Sequence, residues 1–260
     1  MAACWRAIST RWKSEGALNG ATTAHRAKQT PGEEDFRTRV AAERRERMRT
    51  RLLEALLDLY RPGEQHDGLV IDDVLKAAGV ARGTFYKYFP SLEAAVQALG
   101  ERLITEMIGT FQTVYAPVND PAVRAMGGLL VVFVRSWHDP RWGAFTGRVD
   151  FLSYFGRNQA FDIMVRDCLL EARTSGAMHF ANTDAAVDLL IGTSIEARRR
   201  MIERPRAPRA YIDSLMQHIF GGLAMERSSL ARALDQSWDR LLSHSQIMPW
   251  MTDENIWRAG

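Results

Sequence analysis

The stretch Ile71-Asp72-Asp73-Val74-Leu75-Lys76-Ala77-Ala78-Gly79-Val80-Ala81-Arg82-Gly83-Thr84-Phe85-Tyr86-Lys87-Tyr88-Phe89 constrains this chain more than any other. Ile71, Val74, Leu75 and Ala78 fall at i, i+3, i+4 and i+7, which is one apolar face of a short helix. Gly79 follows, the residue best able to enter the left-handed region and stop that helix. A second helix is predicted from Arg82, with Phe85 and Phe89 turned inward and Arg82, Thr84, Tyr86, Lys87 and Tyr88 outward. Two short helices around a tight turn, the second with a cationic and hydroxyl-bearing face, suit contact with a polyanion. In a helix-turn-helix that second helix enters the major groove. The same residues also describe a basic αα-corner on an ordinary helical protein, and residue types alone leave both readings open.

The rest of the chain has only helical patterns, so an all-α fold is expected. A helix over 36–60 carries the stripe Val40, Met48, Leu52, Leu53, Leu56, Leu57 and Leu59, with arginines near its start. Ser91 is a good N-cap for a long helix whose stripe runs from Leu92 through Leu99, Leu103 and Met107 to Phe111. Helices are then expected over 122–137, 141–154, 158–174, 184–203, 209–226 and 228–243, each bounded by Pro, Gly or an Asn/Asp cap. These breaks predict a loose basic tail at 1–35, a module at 36–115, a helical body at 121–245 and a C-terminal tail at 246–260.

Charge is unevenly placed. Residues 1–50 hold eleven Lys/Arg against six Asp/Glu, whereas the whole chain is only +3. A basic leader ahead of a polyanion-reading module favours phosphate attraction; a solvated extension without function is the alternative. The longest apolar run, Gly127 to Val134, is far short of the roughly 18–20 residues that span a bilayer, so no membrane segment is expected, and no secretory signal either. Two cysteines, Cys4 and Cys168, form no disulfide framework and suggest a reducing cytoplasm. The histidines at 25, 66, 138, 179, 218 and 244 include no i, i+3 or i+4 pair, so no metal site is expected. No nucleophile elbow, phosphate-cradling loop or metalloprotease motif occurs, and neither an enzyme nor a cofactor is expected.

Residues 70–95 resemble the DNA-binding signature of the TetR family of transcriptional regulators. The matching positions are Asp72-Asp73-Val74, Ala78-Gly79-Val80, Arg82-Gly83-Thr84-Phe85-Tyr86, Tyr88-Phe89 and Ser91-Leu92-Glu93. The chain departs from the family at Leu69 and Val70, where a capping Ser or Thr is frequent, at Leu92, often a Lys, and at Ala81, often a Ser. Those departures remove three polar backbone contacts and imply weaker or more tail-dependent DNA binding.

The resemblance implies a homodimeric, ligand-responsive repressor released from a palindromic duplex operator by a small apolar effector. It implies DNA contacts from Arg44, Arg82, Gly83, Thr84, Tyr86, Lys87, Tyr88 and Ser91. It places an effector pocket among the aromatic-rich segments, with Met126, Trp137, Trp142, Phe145, Phe151, Tyr154, Phe155 and Met164 as candidates and plain core packing as the alternative. Small and apolar groups at Leu189, Gly192, Ile195, Leu215, Ile219 and Gly222 suit close helix approach across a two-fold axis. A module of the same fold that has lost DNA recognition, or a helical enzyme on an apolar substrate, are the rival functions.

Overall fold

The computed structural model describes residues 31–60, 69–147, 159–204, 206, 208–253 and 255–258. All regular elements among them are helical. The chain divides into two units, Met1–Glu46 and Arg47–Gly260.

Helix α1 (Pro31–Asp58) opens the described chain five residues earlier than expected. Proline tolerates a first helical position because its missing N–H would be unsatisfied there anyway. In the first unit its side chains from Phe36 to Ala42 are exposed except for Val40, which is half-buried. Within the second unit Leu52, Leu53, Leu56 and Leu57 are buried.

Two short helices follow, α2 (Ile71–Ala78) and α3 (Arg82–Tyr86). Gly79 takes φ +61°, and its N–H and that of Val80 donate to Lys76 and Leu75 carbonyls. This closes α2 with both bonds of a Schellman turn. A side chain at Gly79 would be strained by that φ and would also lie 3.1 Å from Arg51 Nη2. Val74, Ala78, Phe85 and Phe89 are buried as their spacing predicts.

Helix α4 (Leu92–Val114) starts at Ser91, whose Oγ accepts from the Ala94 N–H at 3.1 Å. It packs against α5 (Pro121–His138), the central helix. Thirteen of the 18 residues of α5 are buried, as expected for a helix that is apolar over most of its circumference. At Gly127 a Cβ would fall 2.2 Å from the buried ring of Tyr115, so only glycine lets that ring lie on α5. The Tyr115 hydroxyl donates to the Ser237 carbonyl at 2.8 Å. Helices α6 (Pro140–Thr146), α7 (Gln159–Thr174), α8 (Thr183–Ile202), α9 (Pro208–Gly222) and α10 (Arg227–Ser243) complete the body. Asn182 caps α8, accepting from Ala185 N–H at 3.0 Å. Arg240 of α10 donates to the Val114 carbonyl at 2.7 Å, satisfying the end of α4. Among the described residues no helix is long and apolar enough to cross a membrane.

The segment after α10, expected to be a tail, is folded against the body. A 3-10 turn (Ser245–Ile247) leads to α11 (Asn255–Arg258). Trp257 is fully buried and stacks on Trp238 at 5.6 Å. Its Nε1–H donates to His138 Nε2 at 2.7 Å, and its carbonyl accepts from Arg209. Tryptophan docks this segment because it buries a large apolar area and has one N–H to satisfy.

That bond gives a pH dependence with a definite sign. His138 must be neutral at Nε2 to accept, and burial holds it down at about 4 against an ordinary 6.5. Between those values the unfolded chain binds the extra proton, so this contribution is present above pH 6.5 and lost as pH falls through 4. The melting temperature should therefore fall between pH 7 and pH 4, and less steeply in His138→Gln, which keeps an acceptor without titrating. Equal slopes in calorimetry would remove His138 from the explanation.

Candidate nucleic-acid interface and cavity

The outer face of α2–α3 carries most of the expected DNA-contacting side chains, in unequal states. Arg82 is exposed and bridges back to Asp72 of α2 at 2.5 Å. The hydrogen bond to Asp72, then its charge, raise the guanidinium's pKa further. An exposed pair of this kind is worth little, so a phosphate or base edge can replace the carboxylate at small cost. Gly83 is exposed with open space around it. Tyr86 is 46% exposed and Lys87 is exposed, whereas Thr84 is half-buried. Tyr88, expected outward, is half-buried and packs against the core. Ser91 serves first as the cap of α4. Arg44 is exposed on α1 in the first unit. At the expected weak cap, Asp73 accepts from the Val70 N–H at 3.2 Å; valine has no oxygen with which to complete a reciprocal box.

An apolar cavity of about 80 Å³ lies between α4, α5, α7 and α8. Ile104, Met107 and Phe111 of α4 form one wall. The α5 wall includes Ala125, Gly128, Leu129 and Val132, at i, i+3, i+4 and i+7, flanked by Arg124 and Val131. Phe161, Met164 and Cys168 of α7 and Leu190, Ser194 and Arg198 of α8 close it. Burial pushes the Cys168 thiol up to about 12, so it is an inert wall group at neutral pH.

Of the residues expected in the pocket, Met164 alone among the described ones lines this cavity. Met126 sits in the core on another stripe of α5. Trp142 lies buried beneath Arg135, whose guanidinium is 4.9 Å from its ring. Phe145 meets Tyr60 edge-on at 4.8 Å. Trp137 packs on Trp257 at 5.6 Å. These rings fill space between helices, the competing role for aromatic side chains. Phe151, Tyr154 and Phe155 lie outside the described residues. The missed wall residues on α5 were signalled only by the width of its apolar surface, which serves two neighbours at once.

The outer faces of α8 and α9 meet where Leu189 Cδ2 lies 3.8 Å from the Cβ position of Gly222. Leu189 is 40% exposed, Gly192 and Gly222 are exposed, and Leu215 is half-buried. Ile195 and Ile219 instead point inward, at 9% and 2% exposure. They fall on the core side of their helices and cannot form an outer face.

Sequence comparison finds no matching family model and no matching curated protein. Solved structures do match. RolR in complex with the ligand resorcinol is 22% identical, with 75% of this chain and 95% of that one covered at a TM-score of 0.54. The fatty acid degradation regulator FadR from Bacillus halodurans is 17% identical, covering 77% and 100% at 0.59. A TetR family transcription regulator from Marinobacter aquaeolei VT8 is 15% identical, covering 76% and 97% at 0.54. The fold is that of the TetR-family transcription regulators. In the TetR fold adopted here, α2 and α3 form the helix-turn-helix and α4 runs on from it to the cavity wall.

Proposed function

We propose that this chain is a homodimeric transcriptional regulator, working in the cytoplasm as a repressor, which binds a palindromic operator and leaves it when a small molecule enters the body. The reading head spans 36–115 and the body 121–245. The observation that carries this is the double duty of α4: Ser91 caps its start four residues beyond Lys87, the C-cap of the reading helix, and Ile104, Met107 and Phe111 on the same helix line the cavity. A ligand pressing on that wall moves the helix to which the head is joined, and a ligand that binds one arrangement better shifts the population toward it. Glu54, Arg102, Glu106 and Arg135 are linked in one ionic chain across α1, α4 and α5, and Arg141 of α6 pairs with Asp58 at the end of α1. These contacts tie the same elements together. The small residues Gly192 and Gly222, with Leu189 and Leu215, form the self-complementary face that places two heads on one operator. On the DNA, Arg82, Gly83, Thr84 and Tyr86 face the groove, while Lys87, Tyr88 and Ser91 lie toward phosphates.

Fluorescence anisotropy on duplexes selected from a random pool tests the head. Lys87→Ala should weaken binding to all duplexes and reduce the salt slope by about one, as loss of a phosphate contact does. Arg82→Ala or Thr84→Ala should cost about 1–3 kcal/mol on the selected site and relax preference there. Equal losses on selected and random DNA for all three variants would remove base readout from this face. They would favour the rival module that acts through protein contacts.

A further inference from the structure

The C-terminal segment reaches α4 through one arginine. Arg135 leaves α5 beside α4, and its Nη2–H donates to Glu106 Oε2 at 2.8 Å. The other oxygen of that carboxylate accepts from Arg102 Nε at 3.1 Å, on its own helix. Arg102 goes on to pair with Glu54 of α1. Glu106 is next in sequence to Met107 of the cavity wall. The turn of α4 that borders the cavity is thus the turn that Arg135 holds.

The Arg135 side chain is only 7% exposed. Its guanidinium carbon lies 4.9 Å from the Trp142 ring of α6 and 5.8 Å from the Trp250 ring. Ring faces attract a cation through their quadrupole, most strongly where water is excluded. Trp142 is buried in the core of the body. Trp250 is half-buried and stands between the 3-10 turn and α11. Met248 and Trp257, both buried, anchor that stretch on either side, and the Met251 N–H donates to the Met248 carbonyl at 2.8 Å. A long arginine side chain has many rotamers and loses entropy when one is selected. The second ring helps select the rotamer that reaches Glu106, and it comes from outside α4, α5 and the cavity wall.

We propose that Trp250 is a positioning residue for DNA binding: by seating Arg135 against Glu106 it fixes α4, and with it the reading helices, in the arrangement that fits an operator. The proposal rests on the chain being a DNA-binding regulator, and it adds the C-terminal segment to the path between body and head. Without the ring, Arg135 visits other rotamers and holds Glu106 only part of the time. Helix α4 then spreads over more positions, and apparent DNA affinity falls with the competent fraction.

Fluorescence anisotropy of the full chain on the selected duplex tests this, at a temperature where calorimetry shows each variant folded. Trp250→Leu should weaken binding about three- to tenfold, the range of one partly desolvated cation–ring contact. The salt slope should stay that of the native chain, because no phosphate contact is lost. Trp250→Phe keeps a ring face and should recover most of the affinity. Glu106→Gln should weaken binding by a similar factor. In that background Trp250→Leu should cost less than about twofold, since the path is already cut. Losses that multiply in the double variant overturn the inference, because Trp250 then does not act through Glu106. Native affinity in Trp250→Leu overturns it too, as does a Trp250→Phe chain as weak as the leucine variant. The melting temperatures of the same chains read the contact without DNA, and their losses should be less than additive for Trp250→Leu with Glu106→Gln. Additive losses there overturn the inference and leave the regulator reading standing. A native chain that binds no duplex overturns that reading, and the inference with it.

Discussion

Gly192→Arg is expected to produce a folded monomer with greatly reduced affinity for a palindromic duplex. Gly192 is exposed on α8, and a Cβ there meets nothing within 4 Å in a single chain. Arginine is also the better helix former, so the isolated fold should keep or slightly raise its melting temperature. Any large effect must therefore come from a surface that a second copy covers. A guanidinium in a close helix contact related by a two-fold axis meets its own copy as well as a lost glycine clearance. Separating two heads removes the intramolecular second contact, worth about 10²–10⁴ in affinity. Gly221→Arg, also in open space, should act alike. Sedimentation velocity reads the assembly and anisotropy the DNA; an intact dimer for both variants would place the interface elsewhere.

Trp257→Ala should be the most destabilising single change outside the central helix, at about 3–5 kcal/mol, the usual range for emptying a buried aromatic site. The ring is fully buried, stacks on Trp238, meets Trp137 edge-on and donates to His138. Truncation removes all four relations and also leaves His138 Nε2 without its donor. At about 2–4 °C per kcal/mol for a domain of this size the melting temperature should drop by roughly 6–20 °C. Trp257→Phe keeps most of the area and loses the hydrogen bond, so its cost should be about 1–3 kcal/mol. Denaturant titration distinguishes these. A loss below about 1 kcal/mol for the alanine variant would show the C-terminal segment to be a surface annex.

Local order is legible wherever neighbours in sequence decide it. Gly79 sits in the left-handed region because a helix end requires it, and Asn182 and Ser91 cap helices because their oxygens reach an N–H three residues on. The inward turn of Phe85 and Phe89 follows from a spacing of four. Of the side chains placed outward by the same count, Arg82, Tyr86 and Lys87 are exposed, whereas Thr84 and, just past α3, Tyr88 are half-buried. Those contacts lie within a turn or two of the residue that makes them, so the sequence carries them whole.

What only the tertiary structure decided is which neighbour meets each apolar face. Periodicity marks the stripes of α5 but not that Ala125, Gly128, Leu129 and Val132 border a cavity while Met126 does not. Trp142 and Phe145 are aromatic in either role, and packing, not residue type, made them core. Ile195 and Ile219 fell on the inner side of helices whose outer sides bear the glycines. The docking of Trp257 joins residues 119 positions apart through a single hydrogen bond. Burial is non-directional and proportional to area, so it tells the chain which faces to hide and leaves the choice of partner to the shape of the whole.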